Sequence, residues 1–175
     1  DNTCGRRFCQ KLGSLPEGYD HKYTYSHLGY NLKISDMQAA CGLAQVEKAP
    51  RFIRQRKENF AFLKRRLANC EDFLVLPQPT PASDPSWFGF PITIRDAANI
   101  RRVDLIKYLD QIKVGTRLLF AGNLTRQPYM VDRNFRVSGT LETTDLVMNN
   151  TFWIGLHPAL SEDMLDYSAS KIKEF

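Results

Sequence analysis

The apolar residues of this chain change their spacing several times along its length, and that alternation limits its fold more than any other feature. From Ser35 they recur at helical intervals through Met37, Ala40, Cys41 and Ala44, with Ser35 suited to cap a helix and Asp36 to its first turn. A helix is expected over 35–48. Pro50 then starts or kinks a second one to about residue 69, carrying Phe52, Ile53, Phe60, Leu63 and Leu67 at the same spacing. Strand-sized runs follow at 73–76 and in WFGFPITI, 87–94, where Pro91 favours a sheet edge. The intervening QPTPASDPS reads as a loop. Val103, Ile106, Leu109 and Ile112 mark another helix, and 116–120 and 151–156 further strands. The last segment, 161–175, has a Ser cap, an acidic first turn and Lys171 and Lys173 near its end, the pattern of a terminal helix. Two leading helices followed by strands interleaved with helices predict an α/β class with a small sheet covered on one face.

A chain of 175 residues that is 43% hydrophobic and 25% charged has room for one sizeable core. No apolar run approaches the roughly 20 residues that span a bilayer, and DNTCGRRFCQ at the start has no signal-peptide core, so no membrane partner is expected. The chain starts at Asp1, inside a Cys-containing stretch, which suggests a piece of a longer protein. Its net charge of +5 is concentrated in Lys48, Arg51, Arg54, Arg56, Lys57, Lys64, Arg65 and Arg66, with Glu58 alone opposing them in the second helix. Such a stripe suits polyanions or nucleotide phosphates, and equally the solvated side of an amphipathic helix. No stacking-aromatic motif, Cys/His finger or helix-turn-helix punctuation accompanies it, so no nucleic-acid partner is expected.

The first helix is unusual for its small residues: Ala39, Ala40, Gly42 and Ala44 let another backbone, a subunit or a flat ligand approach closely, and tight helix packing has the same requirement. Cys41 and Cys70, on a helix and at a helix end, read as small core residues. Cys4 and Cys9 form C-x4-C beside Gly5, Arg6 and Arg7, which is either half of a metal or iron–sulfur site or two free thiols. His21, His27 and His157 show no metal-ligand spacing and read as structural. Trp87 and Trp153 read as core anchors.

Beyond periodicity, LGYNLKISDMQAACGLAQVEKAPRFIRQRKENFAFL resembles the block G-Y-N-x-R-M-S-D-x-Q-A-A-x-G-x-x-Q-L of the DegT/DnrJ/EryC1/StrS sugar aminotransferases. VGTRLLFAGNLTRQPYM resembles that family's substrate-side strand and loop, and LHPALSEDMLDYSASKI its terminal strand-to-helix block. Within the family, DNTCGRRFCQ, RLLFAGNLTRQP and NNTFWIG are most similar to the nucleotide-sugar 3-dehydrases acting on CDP-4-keto-6-deoxyglucose in lipopolysaccharide O-antigen sugar synthesis. The resemblance implies an aspartate-aminotransferase-like, fold-type I PLP-dependent enzyme. Residues 1–34 would close its large cofactor domain, 35–175 would form linking helices and the small C-terminal α/β domain, and the rest of the large domain would lie outside this chain.

The same resemblance implies the chemistry. Pyridoxamine phosphate (PMP, the amine form of PLP) would act as electron sink while the C3 hydroxyl leaves, a histidine upstream of this chain would replace the usual cofactor lysine, and a [2Fe–2S] cluster would pass electrons from an NADH-dependent flavin/iron–sulfur reductase. Cys4 would be the last cysteine of a C-x-C-x7-C ligand run; Cys9 has no place in it. Asn31, in the Gly-Tyr-Asn turn, would donate to the cofactor phosphate of the neighbouring subunit of a homodimer, a suitable task for an uncharged carboxamide. Phe120, Asn123 and Arg126 would meet the substrate as an aromatic wall, a carboxamide and a guanidinium. The chain alone would be inactive, and the enzyme cytoplasmic. A PLP-dependent nucleotide-sugar 4-aminotransferase of the same fold, and a basic binding module without enzymatic activity, remain as alternatives.

Overall fold

The computed structural model describes residues 8, 9, 11, 13–17, 19, 20, 23–25, 28–30, 32–130 and 132–175. The chain divides into two compact units, 1–44 and 45–175.

Helix α1 (Asp36–Val46) begins in the first unit and runs two residues past its boundary. Its start is a reciprocal capping box: the Ser35 hydroxyl accepts from the Gln38 N–H at 3.3 Å, and the Gln38 side-chain oxygen accepts from the Ser35 N–H at 2.9 Å. The helix buries none of its residues, and Cys41 is exposed. The expectation that Cys41 is a core residue is corrected here: a run of small residues makes a helix, but burial needs a surface to cover it.

The second unit is built around a four-stranded sheet of β1 (Leu74–Val75), β2 (Gly89–Ile94), β3 (Thr116–Leu118) and β4 (Thr151–Gly155), in the order β1-β2-β4-β3. Every pairing is antiparallel, so the intervening helices are not crossovers between parallel strands. Alternation along β2 sends Phe90, Ile92 and Ile94 to one face, where Phe152 and Ile154 of β4 join them. Three helices cover that face. From α2 (Ala49–Leu67) come Leu63 and Leu67, from α3 (Arg102–Gln111) Leu105 and Leu109, and from α5 (Glu162–Glu174) Leu165, Ala169 and Ile172, all buried in one cluster with the strands. The mixed helix-and-sheet class and the single covered face thus match the sequence pattern.

Two local expectations change. Pro91 lies in an interior strand, since β2 pairs with both β1 and β4. The proline is accommodated because β1 reaches only Thr93 and Ile94, leaving β2 unpaired on that side at Pro91 and locally an edge. A further helix, α4 (Glu142–Asn150), fills the segment between β3 and β4. Its sequence, ETTDLVMNN, is short and rich in Thr and Asn, so it carries no helical signature of its own.

On the opposite face of the sheet Trp153 lies flat over Gly89: a Cβ on that glycine would stand 2.3 Å from the indole Cε3. Trp153 is therefore half-buried against the sheet rather than a core anchor, while Trp87 stacks on Phe60, with ring centroids 5.1 Å apart, at the margin of the core. No helix among the described residues is long and apolar enough to cross a membrane.

Candidate functional site

The loop that follows β3 holds two residues with positive φ, Phe120 and Gly122. The Phe120 N–H donates to the Leu118 carbonyl at 2.7 Å, closing a three-residue turn, and the Gly122 N–H donates to the Leu119 carbonyl at 3.3 Å. Phe120 has φ +50°, a left-handed conformation that costs an aromatic residue energy, and Gly122 has φ +63°. Only glycine fits at 122, because a Cβ would stand 2.6 Å from Met148 Cγ. The turn is tied at both ends: the Trp153 indole N–H donates to the Leu118 carbonyl at 3.1 Å, and the Gln127 amide to the Ala121 carbonyl at 2.8 Å. What this arrangement presents to solvent is the Phe120 side chain, on a residue 83% exposed. An exposed phenyl ring on a held backbone is a contact surface for a flat or apolar ligand face.

Asn123 is oriented the other way. It is 3% exposed, and its side-chain oxygen accepts from the Thr125 N–H at 3.1 Å and the Thr125 hydroxyl at 2.7 Å. Its amide donates to Asp145 Oδ1 at 2.7 Å, and its backbone N–H points at Met148 Sδ, 3.3 Å away. The carboxamide is thus engaged within the fold, as a cap on the short helical turn Leu124–Arg126. Arg126 pairs with the second oxygen of Asp145, and its side chain stays 60% exposed, so part of the guanidinium fork faces solvent. The hydrogen bonds from Arg126 and then Asn123 hold the Asp145 carboxyl below its ordinary range, and the same pairing raises Arg126.

Behind the loop lies an open cavity of ≈ 180 Å³ lined by Phe120, Gly122, Gln127, Met148 and Arg102. Arg102 donates to the carbonyls of Met148, at 2.6 Å, and Thr151, at 3.2 Å, closing the C-terminal end of α4. Its Nε is buried without a partner, and burial lowers its pKa, though not enough to discharge a guanidinium. A larger cavity, ≈ 500 Å³, lies near α5 and is lined by Val114, Ile154, His157, Leu160 and Met164 among others. Lys113, Asp163, Tyr167 and Ser168 also line it; the Tyr167 hydroxyl donates to the Ile112 carbonyl at 3.3 Å, His157 Nδ1 accepts from the Ala159 N–H at 3.1 Å, and the His157 carbonyl accepts from the buried Asn59 amide at 3.1 Å, a structural role for the histidine.

Of the residues singled out in the sequence, Phe120, Asn123 and Arg126 share this loop, with Phe120 facing outward and Asn123 inward. Cys4, Asn31, His21 and His27 lie outside the described residues. Cys9 is exposed and Cys70 half-buried. Among the described residues no three His, Cys, Asp or Glu side chains gather as a metal site. Asp145 was not singled out by any sequence signal, because the helix that carries it has no periodicity to reveal it.

Residues 6–173 match the DegT/DnrJ/EryC1/StrS aminotransferase family. Over all 175 residues the chain is 63% identical to the lipopolysaccharide biosynthesis protein RfbH of Salmonella typhimurium, of which it spans 40%. It is 47% identical, again over 175 residues, to the dTDP-4-dehydro-2,6-dideoxy-D-glucose 3-dehydratase of Saccharopolyspora spinosa, spanning 38% of that protein. The chain therefore spans about two fifths of the curated relatives it matches. Among solved structures, the E. coli GDP-4-keto-6-deoxy-D-mannose-3-dehydratase with bound hydrated PLP superposes with a TM-score of 0.78 at 24% identity, over 86% of this chain and 38% of that one.

Proposed function

Because this chain belongs to the DegT/DnrJ/EryC1/StrS aminotransferase family, we propose that it is the C-terminal part of a nucleotide-sugar 3-dehydrase that removes the C3 hydroxyl of CDP-4-keto-6-deoxyglucose on the way to 3,6-dideoxyhexoses of lipopolysaccharide. The observation that carries this reading is the 47% identity, over the entire chain, with a protein named as a 3-dehydratase. The 63% identity with a lipopolysaccharide biosynthesis protein supports the pathway.

The cofactor in this reading is PMP, which when bound supplies the electron sink for loss of a hydroxyl beside a ketone. In this chain Asn31 is the residue assigned to its phosphate, across a homodimer interface; a carboxamide N–H is a fitting donor for that group. Cys4 is assigned as one thiolate of a [2Fe–2S] cluster, whose remaining ligands the reading puts upstream. Such a cluster, when bound, would supply one-electron chemistry, with an NADH-dependent flavin/iron–sulfur reductase as the protein partner. Neither Asn31 nor Cys4 is among the described residues.

The described residues bear on substrate binding. The Phe120 ring meets a flat face of the nucleotide sugar, and the exposed side of Arg126 meets its diphosphate while the other side keeps its pair with Asp145. Asn123 serves the substrate from beneath, by fixing the turn.

The test is product analysis with the complete enzyme, CDP-4-keto-6-deoxyglucose, PMP, a flavin/iron–sulfur reductase and NADH. The expected product is the 3,6-dideoxy ketosugar, with glutamate unconsumed. Stoichiometric 2-oxoglutarate together with a 4-amino sugar, and no dideoxy product, would establish a transaminase instead.

A further inference from the structure

The turn that offers Phe120 is held from β4 by the Trp153 indole and from α4 by Asp145 and Met148. Asp145, in the first turn of that helix, takes the Asn123 amide on one carboxylate oxygen and the Arg126 guanidinium on the other. Asn123 in turn holds Thr125 through its side-chain oxygen, and its backbone N–H lies against Met148, the same residue that closes over Gly122. One carboxylate thus fixes two residues three apart in sequence, and the left-handed Phe120 stands just upstream of the first. A non-glycine residue keeps such a conformation only where its surroundings over-determine it, and Asp145 holds the residues that follow Phe120 through Asn123 and Arg126.

We propose that Asp145 is a positioning residue for the substrate: through Asn123 and Arg126 it sets the 118–127 turn so that the Phe120 ring stands ready for a flat ring of the nucleotide sugar. The inference rests on the functional reading above and adds to it a residue with no substrate contact of its own. Its side chain is 24% exposed, and among the described residues its polar side-chain partners are those two. Substituting Asn for Asp145 keeps the size but weakens both bonds: the Arg126 pair loses its charge, and one amide N–H now faces a donor.

The test is a double-mutant cycle on the complete enzyme, with D145N, F120A and the pair together, titrated calorimetrically with CDP-glucose and, separately, with CDP. Each single substitution should weaken CDP-glucose binding about tenfold, the scale of one aromatic stacking contact. The double variant should be no weaker than the worse single one, because a misplaced ring and a missing ring lose the same contact. In turnover, D145N should raise KM about tenfold with kcat nearly unchanged. Loss that appears with CDP as well assigns the ring to the base, and loss confined to CDP-glucose assigns it to the sugar. Amide exchange at residues 120–125 should quicken in D145N and stay as in the wild type in F120A. Additive losses, or D145N binding as the wild type does, would overturn the positioning role, as would unchanged exchange. If D145N fails to fold, N123S, which removes the amide that Asp145 takes and leaves the Arg126 pair in place, replaces it in the same cycle with the same criteria. A wild-type enzyme that binds neither probe would instead overturn the nucleotide-sugar reading, with amide exchange still reporting on whether Asp145 holds the turn.

Discussion

Helices α1 and α2 adjoin in sequence and differ in an instructive way. By composition α1, DMQAACGLAQV, is the more apolar, and α2, APRFIRQRKENFAFLKRRL, is loaded with charge. Yet α1 buries nothing, while α2 buries Asn59, Leu63 and Leu67. What separates them is arrangement and partner. The apolar residues of α2 fall on one stripe that meets a sheet and another helix, whereas α1 carries small and apolar groups around most of its circumference. Helices apolar on all sides are ordinarily enclosed by protein. The composition of α1 therefore describes a surface suited to being covered, and that of α2 a surface already half covered.

The sharpest way to break this comparison is truncation of a leucine in each helix, measured by chemical denaturation of the chain. Leu63→Ala should cost about 2–5 kcal/mol, since Leu63 is 0% exposed inside the core cluster. Leu43→Ala in α1, where the leucine is 70% exposed, should fall within about 0.5 kcal/mol of the wild type. Equal losses would show α1 to be packed. In the complete enzyme the Leu43→Ala cost should rise if protein covers α1 there.

The sheet offers the same contrast between a covered and a less covered face. Gly89→Ala would drive a Cβ into the Trp153 ring and should cost about 1–3 kcal/mol, with a change in tryptophan emission as the indole is displaced. A neutral result would mean that the outer face is free to rearrange. Within α2, Asn59→Ala should cost about 1–2 kcal/mol by unpairing Gln55 and the His157 carbonyl, and should loosen the link between α2 and the segment before α5.

The smallest effect expected is on acid stability. Arg126 and Asn123 hold the Asp145 carboxyl below its ordinary value of 3.8. A carboxyl depressed in the folded state contributes stability that is complete above its unfolded pKa and is lost as pH falls through the folded one. The Asp145 contribution should therefore fade only below about pH 4, and D145N should flatten the stability profile there. Because the Arg126 side of the pair is 60% exposed and screened, the change in slope should be slight and should shrink further in high salt.

The helices that could be read from sequence are those that combine periodic apolar residues with clear end signals. The first helix, expected over 35–48, is Asp36–Val46; the second, expected over 50–69, is Ala49–Leu67; the terminal one is Glu162–Glu174 with the anticipated Ser161 cap, whose hydroxyl accepts from the Met164 N–H. Helix α4 escaped because Thr143, Thr144, Asn149 and Asn150 are weak helix formers and its length leaves no room for a periodic stripe. With it escaped Asp145 and Met148, which lie 22 and 25 residues beyond Asn123. Phe120, Asn123 and Arg126 were singled out by resemblance alone; nothing in their spacing says that one faces out and another in.

The sequence by itself determined the helical and strand-forming stretches, the Ser35 and Ser161 caps and the core stripe of α2, because each depends on neighbours within a few residues. It also carried the family, through ordered strings that periodicity does not create. The tertiary structure decided which strand lies inside the sheet, why Pro91 is tolerated there, and the direction in which each side chain of the 118–127 turn points. Those outcomes depend on contacts between residues far apart in the chain: the reach of β1 along β2, the closure of Met148 over Gly122, and one carboxylate on α4 holding two groups of a distant turn. A local pattern contains no term for such contacts, since their energy exists only after the chain has folded.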